Sequence, residues 1–386
     1  MTLQVQTAAS GVARSAHYVI PTGQTQPTQT LLLEPQRTNL CIRSEEFNTW
    51  DAIGSTTVTA NAIAAPDGTT TADLITCSAA GPASAGRYRA VTFTGDGEKC
   101  VAIYLKVGNG AETRLLLQDA TAAVTRHHVR VIWTAGVPAI NTNSGAGTLY
   151  PVEALANGWY RILFSVTGIV AANTNEIRIY VNNIGAGVTG DSVYAWGAQA
   201  ENAVVPSSYI KTEGTTVTRN ADSLYFPFTA PPQAMTVYVR GVARESYVNT
   251  GAERRALVIG ASSLSGARFE VTTIGGGTSA RTRHHNGTTE TLSGATPSPT
   301  IVRGDVEERR AVLRADGSTL TGITRNAGTE VTGTSAALAL AVAWSDTRIN
   351  LTGGLSAGNM MFAYTHVIVT TGEQSLATMR QLAGVV

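Results

Sequence analysis

Short runs in which apolar and polar residues alternate are the feature that most limits the fold of this chain. In KCVAIYLKV, residues 99–107, the apolar residues Val101, Ile103 and Leu105 recur at every second position, and EIRIYVNN at 176–183 repeats the pattern. Side chains of a strand point alternately to its two faces, so each run places one face on a core. With 39 Gly and frequent Thr-rich runs to supply turns, the pattern predicts an all-β protein of antiparallel β-sandwiches.

The composition supports folded domains and excludes several classes of function. A chain of 386 residues with 43% hydrophobic residues has enough apolar surface for two or three cores. Its net charge of +1 argues against nucleic-acid binding through a broad basic surface. No run of about 18 apolar residues is present, so we expect no membrane insertion. The opening MTLQVQTAAS has no basic region followed by an apolar one, so we also expect no signal peptide.

Four segments of the chain, in a fixed order, carry a family resemblance. They are LLLEPQRTNL (31–40), RSEEFNTWDAIGSTTVTANAIAAPDGTTTADLI (43–75), NGWYRILFSV (157–166) and WGAQAENAVVPSSYIKTEGTTVTRNADSL (196–224). Together they resemble the modules of bacteriophage fibre, head spike, tail and other virion surface proteins, which are similar to jelly-roll carbohydrate-binding modules. The second half of the chain bears a weaker resemblance to concanavalin and laminin-G sandwiches.

The resemblance and a break at Pro231-Pro232 together predict the domain organisation. We expect an extended N-terminal anchor arm at 1–30, a carbohydrate-binding-module-like sandwich at 31–225 and a concanavalin or laminin-G-like sandwich at 226–386.

A short helix is predicted at the end of the chain, in TTGEQSLATMRQLAG. Thr371 is its expected cap, Leu376, Met379 and Leu382 its apolar stripe, and Gly384 its end.

Several motifs that suggest chemistry have simpler explanations. Residues 185–190 satisfy GxGxxG, but DSVYAWGAQAE follows as a strand, whereas dinucleotide binding needs a helix there. The pairs His127-His128 and His284-His285 each point to opposite faces of a strand, so neither pair converges on one metal ion. Cys41, Cys77 and Cys100 lack CxxC spacing, and we expect buried free thiols.

Acidic residues give no catalytic pair in the sequence. Glu45 and Glu46, like Glu307 and Glu308, are neighbours, and neighbours on a strand cannot flank one glycosidic bond. We therefore expect no enzyme, although pairs distant in sequence stay open.

No cofactor is predicted, with a structural calcium ion as the alternative. Its candidate ligands are Asp67 and Asp191, which lie where carbohydrate-binding jelly rolls sometimes hold calcium. A turn at Asp67-Gly68 explains that aspartate without any metal.

A glycan-binding face follows from strand alternation. In WYRILFSV the core side is predicted to carry Tyr160, Ile162, Phe164 and Val166. The residues of opposite parity on three strands would form an aromatic and cationic face that stacks on sugar rings and bonds their hydroxyls or acidic groups: Tyr104, Lys106, Trp159, Arg161, Arg178 and Tyr180. The alternative is that Trp159 is structural and the cations only keep the sheet soluble.

The resemblance implies a structural protein of the virion surface, synthesised in the host cytoplasm. Its expected function is host adsorption as a fibre, spike or decoration subunit of a tailed phage or related particle. The expected partners are capsid or tail proteins, further copies of the chain in a homotrimer, and host surface polysaccharide, with no nucleic acid. The alternatives are a capsid or tail decoration without sugar binding, and an accessory module of a glycan-degrading enzyme.

Overall fold

The computed structural model describes residues 36–79, 85–182 and 188–220 continuously, and elsewhere Glu34, Ser375 and the strands and helix given below. The regular secondary structure of the described residues is almost wholly β-strand, and every strand pairing among them is antiparallel. The predicted all-β class is therefore confirmed. None of these residues belongs to a helix long and apolar enough to cross a membrane.

The strands up to residue 219 are β1 (Gln4–Gln6), β2 (His17–Val19), β3 (Thr28–Leu33), β4 (Arg37–Asn39), β5 (Asp51–Ile53), β6 (Thr56–Ile63), β7 (Ala72–Cys77), β8 (Gly86–Val91), β9 (Gly97–Val107), β10 (Glu112–Asp119), β11 (Val124–Thr134), β12 (Val137–Gly145), β13 (Gly147–Leu149), β14 (Glu153–Ala154), β15 (Tyr160–Ile169), β16 (Asn175–Tyr180), β17 (Ser192–Glu201) and β18 (Val217–Arg219). After them come β19 (Ser223–Pro227), β20 (Met235–Ala243), β21 (Arg254–Gly260), β22 (Arg268–Ile274), β23 (Ser279–His285), β24 (Glu290–Leu292), β25 (Thr296–Pro297), β26 (Val306–Leu313), β27 (Leu320–Asn326), β28 (Thr329–Thr332), β29 (Arg348–Asn350), β30 (Phe362–Thr371) and the helix α1 (Leu376–Leu382). Single 3-10 turns occur at Phe47–Thr49 and Ala156–Gly158.

The chain divides into two compact units. The sandwich unit is Arg37–Arg219, and the flanking unit is Met1–Gln36 together with Asn220–Val386. The sandwich unit has a six-stranded sheet in the order β12-β11-β10-β16-β8-β5 and a seven-stranded sheet in the order β13-β15-β9-β17-β7-β6, in which β14 also pairs with β15. Strands β4 and β18, at the two ends of the unit, pair with each other.

One hydrophobic core lies between these two sheets. Ile103 and Phe164 of the seven-stranded sheet pack there with Leu117, Val129 and Ile179 of the six-stranded sheet. Ile162 and Val166 also belong to the core, and Tyr160 packs against it. The predicted core side of WYRILFSV is therefore confirmed.

All three cysteines are free and buried, as predicted. Burial raises the pKa of the Cys41 thiol to about 12, although the charge of Arg89 acts in the opposite direction. The thiol therefore stays protonated at neutral pH.

The flanking unit contains two further antiparallel sheets. One has the order β1-β19-β29-β21-β22-β23-β24, with β25 beside β23, and the other has the order β2-β3-β30-β20-β26-β27-β28. Strands of the two sheets lie against each other at β23 and β27. The predicted architecture of two tandem β-sandwiches is confirmed.

The limits of these units differ from the predicted domain boundaries. Strand β3 pairs with β30 near the end of the chain, and β1 pairs with β19. Residues 31–36 and 220–225, which the sequence assigned to the first module, group with the flanking unit. Alternation identifies a strand but not its partner, and the described parts of the predicted N-terminal arm are strands of these sheets. The anchoring role of the arm and the independence of the domains stay predictions.

The C-terminal helix is present, but its predicted cap is wrong. Thr371 is the last residue of β30, and the hydroxyl of Ser375 accepts a hydrogen bond from the Thr378 amide at 3.0 Å. Met379 is fully buried, whereas Leu382 is 58% exposed. Residues spaced by three drift about 60° around a helix at each step, so a stripe of that spacing leaves the buried face. Gly384 lies outside the described residues.

Candidate functional site

The residues predicted to form one glycan face are divided between two sheets. Tyr104, Lys106, Trp159 and Arg161 belong to the outer side of the seven-stranded sheet, whereas Arg178 and Tyr180 lie on β16 of the six-stranded sheet. The prediction of one shared face is corrected, because alternation gives the side of a strand and not the sheet that the strand joins. The two groups face away from the same core in opposite directions.

The outer side of the seven-stranded sheet is covered by the chain itself. Tyr104 is 7% exposed and packs with Trp196 and Tyr209, at ring-centroid distances of 5.1 and 6.0 Å. Trp196 and Tyr209 are 4.4 Å apart. Tyr209 belongs to the segment that follows β17, the last strand of this sheet in chain order, and folds back over the sheet. These aromatic rings therefore form a second, smaller core.

Trp159 and Arg161 serve this packing. The indole of Trp159, 1% exposed, donates to the Ala64 carbonyl at 3.1 Å. The Arg161 guanidinium lies 5.3 Å from the centre of the Tyr104 ring and donates to the Ser207 carbonyl. For Trp159 the structural alternative is therefore supported, and Arg161 holds the returning segment. Lys106 is half-buried on the same side.

The segments that carry the family resemblance bond to each other across the unit. We call residues 37–46 and 196–213 together the clasp. Asn39, fully buried, donates from Nδ2 to the carbonyls of Ala198 at 3.1 Å and Ile210 at 2.8 Å. Its Oδ1 accepts from the amides of Cys41 and Ala200, each at 3.0 Å. One side chain thus satisfies four backbone groups and ties the start of the unit to its end.

Buried polar side chains complete the clasp. Gln199 accepts the Ile210 amide at 2.8 Å, and Glu201 accepts the Ser207 hydroxyl at 2.6 Å. The Tyr209 hydroxyl donates to Glu45 at 2.9 Å. Burial raises the pKa of Tyr209, and the negative charge of Glu45 adds to the rise, so the phenol stays protonated and able to donate. The conspicuous motif residues therefore hold the fold closed.

The outer side of the six-stranded sheet carries a polar set of a different kind, which we call the arginine face. Strand register places Arg178 between Tyr88 and Leu116, with His128 beyond Leu116, and places Arg114 between Tyr180 and Arg130. Glu112 and Glu176 extend the same side of β10 and β16. The arginine face comprises Tyr88, Glu112, Arg114, Leu116, Gln118, His128, Arg130, Glu176, Arg178 and Tyr180.

Ion pairs hold these side chains in position. Glu112 contacts both Arg114 and Arg130, and Glu176 pairs with Arg178 at 2.6 Å. Burial alone would raise the pKa of Glu112, but hydrogen bonds from Arg130 and Arg114 outweigh burial and lower it, so Glu112 is ionised at neutral pH. The side chains of Arg178 and Arg130 keep 28% and 29% of their surface exposed. They are thus both positioned and accessible to solvent.

Aromatic surface lies beside these charges. The Arg178 guanidinium is 5.8 Å from the centre of the half-buried Tyr88 ring, within the range of a cation–π contact. Tyr180, one of the predicted site residues, is only 5% exposed. Tyr88 is the more accessible ring.

The neighbouring histidines point to opposite faces, as alternation predicts. His127 is buried and stacks on Phe164 at 5.1 Å, whereas His128 belongs to the arginine face. Burial lowers the pKa of His128, and the charges of Arg114 and Arg130 lower it further, so at neutral pH its ring is uncharged. The side chains of His284, His285, Glu307 and Glu308 are not among those that the structure describes.

The acidic residues of the arginine face are too far apart for glycoside hydrolysis. Glu112 lies at the start of β10, and Glu176 lies opposite Gln118, six residues further along that strand. At about 3.4 Å per residue the separation is roughly 20 Å, against about 5–9.5 Å between the carboxyl groups of glycosidases. Both are also held by arginines.

Asp67 and Asp191, the candidate calcium ligands, are not brought together. The Asp67 carboxylate accepts the Thr69 amide at 2.9 Å in a turn before β7, whereas the Asp191 carbonyl bonds Cys77 at the far end of that strand. Among the described residues no group of three or more His, Cys, Asp or Glu could hold a metal ion.

The sequence prediction missed most of the arginine face. Tyr88, Glu112, Arg114 and Arg130 were not proposed, although GRYRAV (86–91) and ETRLLLQD (112–119) alternate in the same way as the strands that were used. The signal was present, but only strand order shows that these residues adjoin Arg178.

Comparison with known proteins gives distant likenesses only. No family model and no curated protein matches the chain. It is similar to the LG1-3 region of the laminin alpha2 chain, at 10% identity and a TM-score of 0.31, over 76% of this chain and 66% of that one. It is also similar to domains LG4-5 of the mouse laminin alpha1 chain, at 9% identity and a TM-score of 0.24, over 84% of this chain and 92% of that one. The all-β architecture rests on the sheets themselves.

Proposed function

We propose that this chain is a non-enzymatic glycan-binding protein and that the arginine face is its binding surface. The observation that carries the proposal is the row formed by Tyr88 and Arg178 on an ordered sheet. An aromatic ring that stacks on a sugar lies beside fixed donors and acceptors that bond hydroxyls. Ion pairs hold the charged side chains in place before binding, which lowers the entropy cost of ordering them.

We also propose, from the sequence resemblance, that the protein is part of the surface of a phage particle. The clasp segments resemble modules of bacteriophage surface proteins, which favours a fibre, spike or decoration subunit made in the host cytoplasm. An open sheet binds a sugar weakly at each site, so adsorption would depend on many copies per particle. A homotrimer anchored through the N-terminal strands to capsid or tail proteins meets this need. Its mass in solution would be three times that of one chain.

A purely structural decoration is the second candidate. It is favoured by the burial of Tyr104, Trp159 and Arg161, since these predicted site residues are used to close the fold. In this case the arginine face would contact a neighbouring virion protein and no sugar.

An array of host surface polysaccharides, probed with the full chain displayed on beads, separates the two candidates. Tyr88→Ala and Arg178→Ala are expected to remove most of the signal while the melting temperature stays within a few degrees of wild type. Tyr88→Phe keeps the ring and is expected to keep most of the signal. If both alanine variants bind as wild type does, the arginine face is not the attachment surface.

Tyr104→Ala is the matched control on the opposite sheet. It removes a ring that is 7% exposed, so the sandwich unit should melt earlier. Below the melting transition its sugar signal should equal that of wild type. A specific loss of binding in this variant would return the site to the seven-stranded sheet.

A further inference from the structure

The middle strands of the arginine face, β10, β11 and β16, carry more positive than negative charge. Arg114 and Arg130 are directly opposite each other on β10 and β11, an arrangement of like charges that destabilises a sheet. Glu112 bonds both, but one carboxylate cannot neutralise two guanidinium groups. Because Glu176 pairs with Arg178 and His128 is uncharged, three arginines and two glutamates leave one positive charge in surplus on β10, β11 and β16. A further acid, Asp51, lies opposite Tyr88 on the edge strand β5.

Arg178 and Arg130 also present hydrogen-bond donors on this face. A guanidinium carries five N–H donors in a planar fork. The Nε and Nη2 atoms of Arg178 both donate to a single oxygen of Glu176, at 2.9 and 2.6 Å, and the guanidinium also bonds the Tyr180 side chain. Arg130 donates one hydrogen bond from Nη2 to Glu112 and another from Nη1 to the Asn141 side chain. A carboxylate matches such forks better than a neutral hydroxyl does.

We propose that the arginine face binds a polysaccharide that carries carboxylate groups, with Arg178 and Arg130 pairing the carboxylates and Tyr88 stacking on a sugar ring. This inference rests on the proposed function. Arg178 and Arg130 lie on strands two positions apart in the sheet, about 10 Å across it. The surface therefore spans more than one sugar unit, and binding relieves the repulsion between Arg114 and Arg130.

Polygalacturonate and its carboxyl-reduced form, which is neutral and has the same backbone, test the inference on the bead-displayed full chain. The acidic polymer is expected to bind about tenfold or more tightly than the neutral one, because hydrogen bonds to charged groups are the stronger kind. Raising the salt from about 0.01 M to about 1 M should remove most of that difference, since the Debye length falls to about 3 Å.

Arg178→Gln and Arg43→Gln form a pair matched in charge. Arg43 makes an exposed ion pair with Glu46 in the clasp, away from the arginine face. Arg178→Gln is expected to lose the preference for the acidic polymer, and Arg43→Gln to keep it. Equal losses in both variants would show that net charge alone attracts the polymer and would overturn the inference.

Three further outcomes are distinct. Equal binding of acidic and neutral polymers, lost in Arg178→Gln, would overturn the acidic preference but leave glycan binding intact. Binding of neither, with no signal on the polysaccharide array, would overturn the proposed function itself. Equally tight binding of single-stranded DNA would show that the face responds to any polyanion, which also overturns the inference.

Discussion

Replacing Asn39 with alanine is expected to destabilise the sandwich unit by about 3–5 kcal/mol. The Asn39 side chain is fully buried and makes four hydrogen bonds, to the carbonyls of Ala198 and Ile210 and the amides of Cys41 and Ala200. A hydrogen bond contributes about 1 kcal/mol net, and each buried group left without a partner costs about 1–3 kcal/mol. Four bonds at about 1 kcal/mol each give about 4 kcal/mol, the middle of the range. Water that reaches the unpaired groups would lower this loss, and incomplete relaxation around them would raise it.

Urea unfolding followed by tryptophan fluorescence measures this loss. Trp159 and Trp196 lie in one aromatic cluster, and Trp196 is itself a clasp residue, so their emission reports on the opening of the clasp. Thr38→Ala is the matched control, since Thr38 is the adjacent residue and makes only an exposed hydroxyl contact with Thr218 at 2.8 Å. That change should cost about 0.5 kcal/mol or less. If Asn39→Ala unfolds within about 1 kcal/mol of wild type, the clasp does not hold the unit closed.

Three other predictions follow from the sandwich unit. Gly197 has φ of +63°, and a Cβ there would lie 2.8 Å from the Tyr104 ring. Gly197→Ala should therefore lower the free energy of unfolding in urea by about 2 kcal/mol or more. Gly68→Ala, also at positive φ but in open space, should lower it by less. Burial works against ionisation of Asp119, but hydrogen bonds from Arg126 and Asn173 lower its pKa to about 2. Its contribution to stability is therefore present above the unfolded pKa near 4 and lost as pH falls through about 2, and Asp119→Asn should flatten this part of the pH–stability curve; an unchanged curve would contradict it. A chain trimmed to residues 37–219 should fold and melt cooperatively alone, because both sheets around its core lie within these limits; an insoluble or non-cooperative fragment would show that the units depend on each other.

Alternation was sufficient to predict the core-facing side of the three strands to which it was applied, in residues 99–107, 159–166 and 176–183. Ile162, Phe164 and Val166 lie inside, and Trp159 and Arg161 lie outside, as a period of two requires. The opposite orientations of His127 and His128 follow from the same rule. These are local properties, which each strand has whatever its partners are.

Alternation could not predict the order of the strands in each sheet, nor which outer faces are covered by other segments of the chain. Arg178 was grouped with Tyr104, although β16 joins the other sheet, because pairing depends on contacts distant in sequence. Tyr104 was expected to be exposed, yet Tyr209 returns 105 residues later to cover it. The residues that stood out as motif carry the clasp, whereas the arginine face consists of less conspicuous strand residues.

We propose that sugar binds over Tyr88 and Arg178 on the six-stranded sheet. A crystal structure of the full chain with a short oligogalacturonate tests it most directly. We predict that a sugar ring stacks on Tyr88 and that its carboxylates lie within hydrogen-bond distance of Arg178 and Arg130. Sugar bound on the seven-stranded sheet, or an empty arginine face at saturating ligand, would contradict the account.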